Sequence, residues 1–278
     1  MDRLSSVLNA FRPKTSSVDC LRLDELSRGL LLSAEFSYWV YVVSGDVTLC
    51  SKKNGDIQLQ EGDGVWLATG QTLDVWVTPE HQEKVSVLLC EYDFGTKALN
   101  PLLDLEWQWV LVSHDDVIAQ QLAPLNTLLL EESLQPRCGS QAVVERLAEA
   151  YLVQMLRLFL QTQKIQSGLL AGLSDARLAR AIVEIHEQPQ QAWQVASLAN
   201  KAGMSRSVFS GAFKTTMGMT PMAYLTLWRM RLAAQRIKHG DKNIAMLSDQ
   251  LGYQSEAAFR RTFKKVLGVA PGAISSLH

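Results

Sequence analysis

Histidine is sparse in this chain. The five that occur, at positions 81, 114, 186, 239 and 278, are scattered, with none paired at the spacing a metal site needs. Cysteine is as rare. Cys20, Cys50, Cys90 and Cys138 lie too far apart for a zinc site or a secreted disulfide framework. No Ser/His/Asp order and no phosphate-binding loop rises above chance, so an enzyme is disfavoured and no cofactor is expected. The N-terminal stretch lacks the apolar core of a secretory leader. The most apolar run, Tyr151 to Leu160, is broken by Gln154 and Arg157 and is too short to cross a bilayer. The expectation is a cytoplasmic protein with no membrane partner.

What is present is a globular composition with an uneven distribution of charge. At 278 residues the chain is long enough for two domains, each burying its own core. The net charge of −1 conceals two opposed halves. From Ser174 onward there are fourteen Lys and Arg against six Asp and Glu, a balance of +8. Residues 1–173 hold thirteen against twenty-two, a balance of −9. A basic segment of this kind is the electrostatic footprint of a phosphate backbone partner, although a solvated basic face would read the same.

The basic half repeats itself. Phe209, Phe213, Lys214, Gly218 and Pro221 recur fifty positions later as Phe259, Phe263, Lys264, Gly268 and Pro271. Leu198 and Gly203 recur at an offset of forty-nine as Leu247 and Gly252. An internal repeat marks a repeated structural unit. Each copy reads as a short helix, a glycine turn where positive φ costs nothing, and a second helix capped by Ser205 or Ser255. Val208, Phe209, Ala212 and Phe213 are expected to form the buried face of the first capped helix; Ala258, Phe259, Thr262 and Phe263 do so in the second. This is the helix-turn-helix, whose second helix enters the major groove. Between the copies Pro221 starts a long helix to about Lys238, with Met222, Leu225, Leu227, Leu232, Ala233 and Ile237 to bury against both units.

Four segments carry a family resemblance: W-x-V-x-x-L-A from Trp193, G-M-S-R-S-x-F from Gly203, G-M-T-P-x-x-Y-L from Gly218, and G-Y-x-S-E-A-A-F-R-R-x-F-K-K from Gly252. Over the C-terminal hundred residues the chain resembles the DNA-binding domain of the AraC/XylS family of bacterial transcription regulators. Ile274 and Ser275 stand where that family usually has Tyr-Arg. The resemblance implies a double-stranded DNA partner, with RNA polymerase a further candidate. It also implies that bases are read by Arg206, Ser207, Ser210 and Gly211 in the first unit and by Glu256, Ala257, Arg260 and Arg261 in the second. Lys214, Lys264 and Lys265 are then the phosphate contacts. Arg260 and Arg261 are the strongest base readers, because Arg offers a donor pair matched to guanine. Glu256 accepts from cytosine or serves its own helix dipole.

The acidic half changes pattern. Residues 4, 7, 8 and 11 form a short amphipathic helix expected to pack on the body of the protein. Between Ser17 and Phe94, short β runs alternate with turn clusters every eight to twelve residues, which predicts a small sandwich or barrel. The order Y-V-V-S-G, L-Q-E-G-D, W-L-A-T-G resembles a cupin. Leu73 stands where a metal-binding cupin would carry His, and His81 reads as a solvated turn residue. From His114 to Leu134 and from Ser140 to Gln163 the period is helical. Val144, Leu147, Tyr151, Met155 and Leu158 make one stripe, and Leu152, Leu156 and Phe159 a second. Two stripes ask for two partners, and the family resemblance implies that a helix in this region forms a homodimer contact.

The expected architecture is thus α+β with two domains. A cupin-like β-barrel (jelly roll) with flanking helices occupies 1–114. A helical dimerisation region and linker spans 115–172, with Gln163 to Leu173 as the linker itself. An all-α domain with two helix-turn-helix units joined by a long helix occupies 173–278. Two inputs stay open. One is a small-molecule effector in the barrel, near Tyr38, Trp39, Tyr41, Trp66 and Trp76. The other is an oxidant acting on Cys20 and Cys90, with Cys50 and Cys138 in reserve. That pairing is implied by resemblance to oxidant-responsive regulators with a His-less cupin; buried, inert cysteines are the plain alternative.

Overall fold

A computed structural model describes residues 2–23, 30–50, 55–68, 73–77, 85–104, 109–162 and 164–276. Among the described residues, helix α1 (Ser5–Ala10) is followed by nine strands: β1 (Lys14–Arg22), β2 (Leu30–Leu32), β3 (Ser37–Ser44), β4 (Val47–Cys50), β5 (Ile57–Leu59), β6 (Gly64–Leu67), β7 (Leu73–Val77), β8 (Ser86–Asp93) and β9 (Trp109–Val112). They form two antiparallel sheets, ordered β1-β8-β3-β6-β9 and β2-β7-β4-β5. Side-chain alternation then fixes which residues meet. Val40, Val42, Val65, Leu67, Val87 and Leu89 of the first sheet pack against Val47, Leu49, Ile57 and Leu59 of the second, filling the interior.

The other face of the first sheet carries Trp39, Trp66, Cys90 and Tyr92, all buried. Helices α2 (Val117–Leu134) and α3 (Ser140–Thr162) belong to the same unit. The Tyr92 hydroxyl donates to the Ala148 carbonyl of α3 at 3.1 Å, and the Trp39 ring lies 5.7 Å from that of Tyr151. At the entry to α2, Asp63 accepts from the His114 amide at 2.8 Å and from its ring at 3.0 Å. Both stripes of α3 are largely buried, Leu152, Leu156 and Phe159 included. The second stripe is therefore not an open surface.

The helical half follows with α4 (Gly168–Ser174), α5 (Ala176–Glu187), α6 (Val195–Ala202), α7 (Arg206–Met217), α8 (Pro221–Lys238), α9 (Ile244–Gln250) and α10 (Glu256–Leu267). The expected linker is largely α4, with Leu169, Leu170 and Leu173 buried. Its Gly172 is there for close packing. A Cβ added to it would lie 2.4 Å from the Met217 sulfur and 2.7 Å from Ile182 Cδ1.

The chain divides into units differently from the linear division at 114/115 and 172/173. Residues 1–12, 95–106 and 160–278 form one unit; residues 13–94 and 107–159 form the other. The cause is specific packing on α8. Phe11 sets its ring edge against Trp228, 5.2 Å between centroids, and Leu99 joins the core of Met230, Leu247, Phe259 and Phe263. Arg231, 3% exposed, donates to the Ala98 carbonyl and holds both carboxylate oxygens of Asp104, one of them at 2.7 Å. Arg3 donates to the Leu173 carbonyl at 2.8 Å. His186 stacks on Trp228 at 3.7 Å, with Ser6 at one ring nitrogen and Tyr224 at the other. Burial pushes that imidazole down to about 3, so it is neutral.

Candidate nucleic-acid interface

Two helix-turn-helix units lie in the basic body. In the first, α6 ends at Gly203 with φ +67, and Ser205 caps α7 by accepting from the Val208 amide. In the second, Ser255 caps α10 by accepting from the Ala258 amide. Both α7 and α10 end at a left-handed glycine, Gly218 and Gly268. Each helix anchors one face by two fully buried rings, Phe209 with Phe213 and Phe259 with Phe263. Turning those faces inward turns the intervening positions outward.

The exposed positions of α7 are Arg206, Ser207, Val208, Gly211, Lys214 and Thr215, with Ser210 half-buried. Those of α10 are Ala257, Arg260, Arg261, Lys264 and Lys265, with Glu256 half-buried. Every residue expected at the interface is thus on one of these two helices. Glu256 is not idle: its carboxylate accepts from Arg260 Nε at 2.6 Å, an i,i+4 pair along the helix. One expectation is corrected. Val208 does not join the buried face; it is 56% exposed, because Phe209 and Phe213 already fill that side of a twelve-residue helix. Gly211 meets nothing within 4 Å of an added Cβ, so no packing inside the chain calls for glycine there.

Sequence periodicity missed the cations of α8. Arg229 and Arg231 sit amid the apolar middle of the helix, and a charged residue within a buried stripe was the available signal. Arg231 is sequestered with Asp104 and has no outward role.

The cysteines lie on neighbouring strands. Cys20 of β1 stands opposite Leu88, and Cys90 of β8 opposite Val18. They share one face as diagonal neighbours, a relation that typically spaces Cα atoms about 7–8 Å apart, beyond the usual disulfide range of about 4.4–6.8 Å. Burial raises the Cys20 thiol, outweighing the lowering by Arg22, and pushes Cys90 up to about 12. Both effects disfavour the thiolate. The aromatic residues proposed to line a ligand pocket are also separated. Tyr38 faces the sheet-to-sheet interior, whereas Trp39 and Trp66 face the opposite side. The side chain of Trp76 and all of His81 lie outside the described residues. Among the described residues, no three His, Cys, Asp or Glu could hold a metal ion, and no helix is long and apolar enough to cross a membrane.

A cupin family model matches residues 2–161 and a helix-turn-helix domain model residues 198–276. An AraC-like transcription regulator of Streptomyces lividans is 34% identical over 231 residues, which is 83% of this chain and 69% of that protein. The chain belongs to the AraC family of DNA-binding transcription regulators. Within that family it is also similar to RclR of Escherichia coli (strain K12), an RCS-specific transcriptional activator. The identity there is 31% over 144 residues, about half of each chain. Among solved structures, fatty-acid-bound ToxT from Vibrio cholerae aligns over 95% of this chain and 94% of its own, at 13% identity and a TM-score of 0.42.

Proposed function

We propose that this AraC-family member binds double-stranded DNA with α7 and α10 in successive major-groove segments. The observation that carries the reading is the asymmetry of the two exposed helix faces. On α10, Arg260 and Arg261 are the base readers, and the Glu256 carboxylate orients Arg260 while leaving its terminal nitrogens for guanine O6 and N7. On α7, Ser207, Ser210 and Gly211 are small, so that unit reads weakly and by close approach, with Arg206 beside it. Lys214, Lys264 and Lys265 hold phosphates, which position the protein without specifying sequence. Ala257 contributes a methyl contact.

Arg261→Ala then relaxes sequence preference, a loss of about 1–3 kcal/mol on the preferred duplex alone. Lys264→Ala weakens all duplexes alike and lowers the salt slope by about one. Gel-shift titrations on selected and scrambled duplexes across salt concentrations separate them. Equal losses on both duplexes for Arg261→Ala remove the base-reading role.

For the input, the name of the RclR relative supports an oxidant, while the buried Cys90 and the raised Cys20 thiol weigh against Cys20 and Cys90 as its target and leave a small-molecule effector as the alternative. Within the expected dimerisation region of 115–172, the homodimer contact is best carried by α2, whose Val117, Leu128 and Leu134 are exposed. RNA polymerase is a partner by family analogy alone.

A further inference from the structure

The two helix-turn-helix units are alike in sequence, but their turn glycines do different work. A Cβ added at Gly203 would come no nearer than 3.9 Å to anything, the Arg180 guanidinium. A Cβ added at Gly252 would lie 2.2 Å from the Gln190 carbonyl oxygen, 2.9 Å from its carbon and 3.1 Å from an Arg229 nitrogen. Gln190 belongs to the loop between α5 and α6, which leads into the first unit; Gly252 is the turn of the second. The backbone of one unit therefore rests directly on the turn of the other, and a side chain there would push them apart.

Arg229 of α8 closes this contact. Its Nε donates to the Pro189 carbonyl, and one terminal nitrogen donates to the Gln191 carbonyl at 2.9 Å. Its guanidinium also lies 5.6 Å from the centre of the Tyr253 ring, whose edge packs on Phe259 of α10 at 5.5 Å. The loop is held from its other end by Trp193, whose indole donates to the Gln188 carbonyl at 2.9 Å. Loop 188–191, Arg229 and the Gly252–Tyr253 turn thus form a latch between the entry to the first unit and the recognition helix of the second.

We infer that Arg229 is a positioning residue that fixes the distance and rotation between α7 and α10, and so selects the spacing of the two DNA segments one chain accepts. This rests on the proposal that both helices engage one duplex. Each inserted base pair moves the second segment by about 3.4 Å along the axis, so a stiff latch rejects it and a slack one does not. Nε and one terminal nitrogen of Arg229 are committed to carbonyls inside the protein, so its role here is positioning, and the salt slope tells that role from a phosphate contact.

The test uses the full chain and a randomised duplex library. Wild-type protein enriches a bipartite site with one spacing, and a duplex lengthened by one base pair between the halves binds at least about tenfold weaker, the scale of a lost base contact. Arg229→Ala, checked for native far-ultraviolet circular dichroism, enriches the same two halves at mixed spacings. It reduces the one-base-pair penalty to under about threefold, with the salt slope unchanged. Arg229→Lys, which keeps the charge but not the fork, falls between them. Unchanged spacing discrimination in folded Arg229→Ala overturns the latch and leaves the DNA reading intact, as does a salt slope lowered by one. Enrichment by wild type of one half-site, or of none, overturns the latch along with the two-helix reading.

Discussion

Asp104→Ala should destabilise the DNA-binding unit even though Asp104 lies some seventy residues before that unit's expected start. The Arg231 side chain is 4% exposed and that of Asp104 31%. Removing the carboxylate leaves a buried guanidinium with the Ala98 carbonyl as its remaining described acceptor. Breaking a buried pair from one side costs about 3–5 kcal/mol; partial exposure of Asp104 lets water compensate, which brings the expected cost to about 2–3 kcal/mol. Replacing both partners, Arg231→Met with Asp104→Ala, removes the charge along with its acceptor and should cost less than Asp104→Ala alone. Two units make a single global transition an unsafe measure, so the assay is hydrogen exchange of the α8 amides. Asp104→Ala should speed their exchange by about 30- to 150-fold. Acceleration under about threefold, or a double variant as unstable as the sum of its singles, refutes the argument.

Four further outcomes are expected. Neutral His186 has a folded value near 3, below that of an unfolded histidine at about 6.5. The unfolded chain then takes up a proton that the folded one refuses, so stability of this unit falls as pH drops below about 6.5, by at most about 1.4 kcal/mol per unit. α8 amide exchange between pH 6.5 and 5 reads this, and His186→Phe should flatten it. His114 runs the other way: its hydrogen bond to Asp63 and the nearby Asp115 charge raise it, so its contribution is full at low pH and lost as pH rises through its raised value. On the proposed α2 contact, wild type should sediment as a dimer and Leu128→Glu as a monomer in sedimentation velocity; an unchanged distribution removes α2 from the contact. Brief hypochlorite treatment followed by peptide mapping should leave buried Cys90 unmodified, and rapid reductant-reversible loss of both thiols with altered DNA binding would instead establish the oxidant input.

Much of the helical half was legible because its signals are local and doubled. The repeated Phe pairs, capping serines and turn glycines name their own positions in the fold. Strands β3 to β8 were legible from alternation and turn residues. β1 was poorly so, since Lys14-Thr15-Ser16-Ser17 is a polar edge start and its partner, β8, lies seventy residues on. The linker reading failed at Gly172, because glycine for flexibility and glycine for close approach look identical until Met217 and Ile182 are in place. Val208 failed for a related reason: an apolar residue marks a buried face only where the stripe has room for it. The docking of 95–106 was invisible, because Leu99, Leu102 and Leu103 declare that they bury and not where.

The charge pair of Arg231 with Asp104 also bears on how such regulators exchange parts. A crossover that moved the C-terminal hundred residues onto a different sensor would separate Arg231 from its acceptor, and Met230 and Phe263 from Leu99. The hybrid would begin life with a stranded cation inside its reading head. Lineages that recombine at this border must carry a matching strap across with the helices, or first replace Arg231 by an apolar residue. The arginine thereby ties residues 98–104 to the C-terminal hundred residues.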